Sequence, residues 1–137
     1  MPPRVMLTLL VSLLFLSPAT SYTLFFLEGL ITCNLTREFD YQIHVLERDT
    51  LNDQEISKAS FVHAPTSPSH YNITAIDVND GLEDYYYEIW VLVYHNCQDN
   101  GKHMYTYEHV GEFWVYHGSH YRDFDFDITN KGVFYNW

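Results

Sequence analysis

The sequence predicts an all-β fold, an antiparallel two-sheet sandwich of seven or eight strands. Three observations predict it. Apolar and polar residues alternate with period two, no stretch after residue 21 carries a helical apolar stripe, and turn-forming residues recur between the alternating runs. Tyr22 to Thr32 forms the first strand, with a bulge expected at Glu28-Gly29. Tyr41 to Arg48 sets Tyr41, Ile43 and Val45 on one face against Gln42 and His44, and Asp49 to Glu55 is a polar turn. Ser57 to Ala64 is a third strand, closed by Pro65 and Pro68, and His70 to Ile76 is a fourth.

Asp77 to Asp84 is an acidic loop around Gly81. Tyr85 to His95 is apolar on both faces, the pattern of a central strand covered on each side. After a turn over Asn96 to His103, Met104 to His117 continues as strand, with Gly111 a second bulge position. Asp123, Asp125 and Asp127 then alternate with Phe124, Phe126 and Ile128, one face acid and the other apolar, as in a half-buried strand. A turn at Asn130-Lys131-Gly132 precedes a short aromatic tail.

The first 21 residues read as a secretory signal peptide. Arg4 gives a positive n-region, Val5 to Leu16 is an apolar core, and Ala19-Thr20-Ser21 offers small residues for cleavage before Tyr22. The apolar run is too short to span a bilayer, which takes about 20 residues, and Pro18 ends it. Residues 22–137 are then one domain, placed outside the cell. Arg4 is the only charged side chain of the leader, so the 7 Lys and Arg of the chain fall to 6 against 18 Asp and Glu, a formal charge of −12. Such a surface repels phosphate backbones and anionic headgroups, which argues against nucleic acid as a partner.

The same compartment governs the cysteines and sequons. Cys33 and Cys97 are the only cysteines, and two thiols in an oxidising compartment tend to pair, two buried free thiols being the alternative. Asn34-Leu35-Thr36 and Asn72-Ile73-Thr74 are N-glycosylation acceptors; Asn34 is crowded by Cys33, whereas Asn72 points outward from its strand.

Three blocks, Gly29-Leu30-Ile31-Thr32-Cys33-Asn34, Val45-Leu46-Glu47-Arg48-Asp49-Thr50 and Tyr94-His95-Asn96-Cys97, resemble in this order the motifs of the secreted transthyretin-like family of nematodes. The resemblance spans the chain after the leader, with departures. Many relatives carry a further cysteine pair, and Ala64 to Asp84 matches little. It implies a transthyretin-type sandwich with Cys33 joined to Cys97, an extracellular protein without known catalysis, and no cofactor is expected. Some members of the family bridge exposed phosphatidylserine to a phagocyte receptor, and others are carriers or effectors.

Other chemistries fit less well. The 5-hydroxyisourate hydrolase relatives of that family end in Tyr-Arg-Gly-Ser, whereas this chain ends Phe134-Tyr135-Asn136-Trp137, and His44-Val45-Leu46 falls on the second strand instead of the first. The eight histidines have no recognised zinc spacing. Asp77, Asp80, Glu83 and Asp84 form a weak calcium candidate, one residue short of EF-hand spacing and lacking its closing glutamate. Trp90, Leu92 and Tyr94 lie opposite the core face of one strand, and Trp114 and Tyr116 hold the same relation on the next. Aromatics on a face that should be wet mark a recognition surface, provided that the faces are not inverted. The reading is a secreted, non-enzymatic binding or bridging protein with an extracellular protein or cell-surface partner, and with a homodimer on the same stripe as another use of it. The alternative is a carrier of small hydrophobic ligands whose site forms on oligomerisation.

Overall fold

The computed structural model describes residues 22–35, 38–48, 52–78, 85–115 and 118–134. The leader therefore lies outside the described residues. Nine strands follow in order: β1 (Thr23–Thr32), β2 (Phe39–Arg48), β3 (Asp53–Lys58), β4 (Val62–Ala64), β5 (Ser69–Asp77), β6 (Tyr86–His95), β7 (Met104–Trp114), β8 (Ser119–Asp123) and β9 (Phe126–Asp127). One sheet has the order β5-β1-β8, with β9 also on β1, and the other has the order β3-β2-β6-β7, with β4 also on β2. This is the all-β two-sheet sandwich that the alternation predicts. Among the described residues no helix is long and apolar enough to cross a membrane.

Period two builds the core. β1 and β5 send Phe25, Leu27, Ile31, Tyr71, Ile73 and Ala75 inward, where they meet Tyr41, Ile43 and Val45 of β2 and Ile89, Val91 and Val93 of β6. β6 lies at the centre of its sheet, as expected, but only its inner face is covered by the second sheet.

Several boundaries differ from the sequence reading. The third strand is two pieces. β3 begins inside the expected turn and pairs with His44 to Arg48, while β4 pairs with Phe39 to Tyr41. Between them Ala59 donates its N–H to Ile43 (2.8 Å) and its carbonyl accepts from Gln42 Nε2 (3.0 Å), so a side chain substitutes for part of the ladder. The acid-aromatic strand is also broken. β8 lies just ahead of it, β9 keeps its end, and both pair with β1 in parallel.

Gly29 makes no bulge against β5, whose register runs unbroken from Thr23↔Asp77 to Ile31↔Ser69. Its hydrogen serves close approach instead. A Cβ there would lie 2.3 Å from the Phe124 carbonyl oxygen. Beside it Asp125 Oδ1 accepts the Leu30 N–H at 2.7 Å, filling the gap between β8 and β9. The bulge at Gly111 is present. Ile89 pairs with Gly111 and Trp90 with His109, leaving Val110 extra on β7.

Cys33 follows directly on β1 and Cys97 comes two residues after β6, one strand from each sheet, and the two are bridged with a Cα–Cα separation of 6.0 Å. His95, with 0% exposure, lies against this bridge. Its Nδ1 accepts the Cys97 N–H (3.2 Å), so the neutral ring carries its proton on Nε2 and donates it to Thr106 Oγ1 (2.9 Å). Burial, helped by the charge of His103, pushes the His95 pKa down to about 4.

Two predictions follow from this end of the sandwich. Removing the bridge as Cys33→Ser/Cys97→Ser, across a sequence separation of 64, lowers stability by about 4 kcal/mol in urea unfolding. His95 binds a proton more readily in the unfolded chain, near pH 6.5, than in the fold. Its contribution is therefore complete above that pH and is lost as pH falls toward about 4. Unfolding midpoints measured from pH 6.5 to pH 4 should fall more steeply in the parent than in His95→Gln, by up to about 3 kcal/mol. Equal slopes would dismiss this role.

Candidate functional site

The inward set on β6 leaves Tyr86, Glu88, Trp90, Leu92 and Tyr94 on the outer face of the larger sheet. Register then fixes their neighbours. Tyr94 faces Tyr105, Leu92 faces Tyr107, Trp90 faces His109, Glu88 faces Glu112 and Tyr86 faces Trp114 across β7. On the other side β2 places Gln42 beside Tyr94, His44 beside Leu92 and Leu46 beside Trp90.

The rings form a row. Tyr86 and Trp114 have centroids 4.4 Å apart, Trp90 and His109 4.8 Å, and Tyr94 lies 4.8 Å from both Tyr105 and His103. Arg48 lies over the middle of this row, its Cζ 4.4 Å from the Trp90 centroid and 6.0 Å from that of Tyr107. Asp53 holds the guanidinium from the flank, accepting Nε at 3.0 Å and Nη2 at 3.3 Å, and this hydrogen bond raises the Arg48 pKa further. Trp90 Nε1 donates to Glu88 Oε1 at 2.9 Å. His44 Nδ1 meets Glu55 at 2.5 Å.

Trp90, Leu92, Tyr94 and Trp114 are thus brought onto one outer face, and the faces are not inverted. Tyr116 lies outside the described residues. Sequence reasoning missed Tyr86, Arg48 and the β7 residues Tyr105, Tyr107 and His109. The bulge explains the last three. The extra residue at Val110 shifts parity, so odd positions face outward before it and Glu112 and Trp114 do so after it. The Gly111 bulge signal could have revealed this.

Asn72 stands on β5, exposed on the outer face of the smaller sheet. Asn34 is also exposed, but its Nδ2 donates to Asp127 Oδ2 (2.8 Å) and its backbone N–H to Thr129 Oγ1 (2.7 Å). That Asp127 is held below the usual carboxylate range, chiefly by its bond to Thr129. Of the calcium candidates, Asp77 is buried at the end of β5 beside Thr23, and Asp80, Glu83 and Asp84 lie outside the described residues. Among the described residues no group of three His, Cys, Asp or Glu side chains is arranged to hold a metal.

Two other features stand apart from the row. An open cleft of about 830 Å³ lies between Cys33–Leu35, Glu38 and the Pro65–Pro68 turn, next to the bridge. At the β2–β4 edge, His63 sits between Asp40 (2.6 Å) and Glu38 (3.0 Å), and these bonds, that to Asp40 above all, raise its pKa.

Comparison with known proteins gives little beyond this geometry. No family model matches the chain, and no solved structure matches it. It is similar to an uncharacterized protein of Caenorhabditis elegans, with 32% identity over 72 residues, 53% of this chain and 54% of that protein. The chain thus spans about half the length of the curated relative it matches.

Proposed function

We propose that this chain is an exported, non-enzymatic binding protein of the transthyretin-like kind, which recognises an extracellular protein or cell-surface partner through the outer face of β2, β6 and β7. The observation that carries this reading is the series of ring pairs, broken once by Glu88 and Glu112, on a sheet face with no layer over it among the described residues. Rigid rings held by cross-strand neighbours lose little freedom on binding, and so suit an interface. Trp114 at 49% exposure and Tyr86 at 41% stabilise the sheet as a cross-strand pair and still leave large apolar surface in water.

The two-sheet sandwich and the Cys33–Cys97 bridge agree with what the transthyretin-like resemblance implies. Residues 1–21 supply the export signal in this reading, and the bridge suits the oxidising compartment it leads to.

Export also makes the sequons usable, and the geometry favours Asn72. A glycan there stands on the smaller sheet and leaves the aromatic face open, whereas Asn34 has its amide committed to Asp127. In protein secreted from eukaryotic cells, Asn72→Gln should remove the N-glycan mass and Asn34→Gln should leave it unchanged. A glycan lost with Asn34 instead would reverse the assignment.

The interface itself is tested by capture from extracellular fluid with the processed chain and with Trp90→Ala/Trp114→Ala. The pair of substitutions should abolish retention of a partner while unfolding stays cooperative. Equal retention by both proteins would remove this face from the function.

A further inference from the structure

Glu88 and Glu112 are direct cross-strand partners on the outer face of β6 and β7. Like charges so placed repel, and the charge of Arg48 reaches Glu88 but relieves the pair on that side alone. Glu88 accepts Trp90 Nε1 and lies 3.8 Å from His109 Nε2, while Glu112 makes no ion pair among the described residues. The next outward pair along the same strands is Tyr86 and Trp114, half exposed and in ring contact. Carboxylates beside exposed ring faces are the surroundings that attract an ammonium or guanidinium group.

The same face already holds one such cation. Arg48 lies over Trp90 and Tyr107 with Asp53 at its flank, a ring-and-carboxylate seat filled by the chain's own side chain. The cluster of Glu88, Glu112, Tyr86 and Trp114 has the same ingredients, carboxylates beside ring faces, and its Glu112 makes no ion pair among the described residues. On this face Asp40, Asp53 and Glu55 are matched by His63, Arg48 and His44, while the whole chain carries a formal net charge of −11. A second copy of this chain would bring the same excess of negative charge, so self-association here is opposed.

Building on the recognition reading above, we propose that this face takes an arginine- or lysine-rich segment of another protein, whose cation is seated between the Glu88–Glu112 pair and the Tyr86–Trp114 rings. Attraction by the acidic chain steers the segment in, and the rings and the acid pair select where it lands.

The test uses the processed chain and a fluorescent nona-arginine peptide, followed by polarisation at fixed ionic strength. General charge attraction must be separated from the seat. The smaller sheet offers a matched control, because Glu28 and Asp123 are also outward partners, with Asn72 on the other side of Glu28. Glu88→Gln/Glu112→Gln should weaken binding by about tenfold or more, the loss expected when a charge-assisted contact is removed, and Glu28→Gln/Asp123→Asn should have far less effect. Trp114→Ala should weaken it as well, with the unfolding midpoint of every variant close to that of the parent. Equal loss from the two acid pairs, an unchanged Trp114→Ala, absence of peptide binding, or tighter binding to phosphatidylcholine vesicles than to the peptide would each overturn the proposal. If partner capture depends on Trp90 and Trp114 but not on Glu88 and Glu112, the face stands and the basic partner falls. If capture is indifferent to the tryptophans, both fall.

Discussion

Two-residue periodicity on β6 couples the core to the aromatic face. Tyr87, Ile89, Val91, Val93 and His95 must turn inward together, because a slip of one residue would put Glu88 and Trp90 into the core and all five into water. The same constraint delivers Tyr86, Glu88, Trp90, Leu92 and Tyr94 to the other side as a set. β6 is paired on both edges, by β2 along Ile89 to His95 and by β7 along its whole length, so its register has no freedom to drift. The geometry of the outer face thus follows from the burial of the inner one.

On β7 that coupling is adjusted once. Without a bulge, a single parity over eleven residues could not place both Tyr107 and Trp114 outward. The extra residue at Val110 resolves this, keeping Thr106 and Val110 in the interior while Phe113 still packs on the core. The ring row therefore extends from Tyr105 to Trp114 on one side of the sheet. At the opposite end the bridge joins the sheets where β1 and β6 finish, and His95 takes its place beside it as a neutral hydrogen-bonded ring. The aromatic row is held by register along its length and by a covalent link at one end.

What could be read in the sequence was local. Alternation in β1, β2, β5 and β6 is a property of neighbouring residues, and those strands lie within one or two positions of where it puts them. Trp90, Leu92, Tyr94 and Trp114 were found because each lies one residue from an aliphatic or aromatic core position. Non-local features were hidden. Parallel pairing of β8 and β9 with β1 carries no turn signal, since the partners are nearly a hundred residues apart. The division of the third strand depends on Gln42 reaching Ala59, and the role of Gly29 on the approach of Phe124, neither of which leaves a trace in its own segment. Arg48 joined the site through its position over Trp90, forty-two residues away in the chain.

The two outer faces differ in how they treat their polar groups, and the difference bears on the recognition proposed for the larger one. On the smaller sheet, side chains near the outer edge are used to complete the backbone: Asp125 caps Leu30, Thr129 caps Asn34, and Asp127 holds the Asn34 amide. Asp125 and Asp127 there have structural work. On the larger sheet the acids are matched to rings and to basic side chains. Asp53 fixes Arg48 over Trp90, Glu55 meets His44, and Glu88 takes the indole N–H of Trp90. None of these completes a strand: along the row β6 pairs with β2 on one edge and with β7 on the other, and the far edge of β7 meets Val133 at Tyr105. A face whose backbone is already satisfied can spend its side chains on orienting rings, and rings oriented in advance lose less on binding than rings that must be immobilised. Under the recognition reading proposed above, the larger sheet is the face whose rings are already oriented.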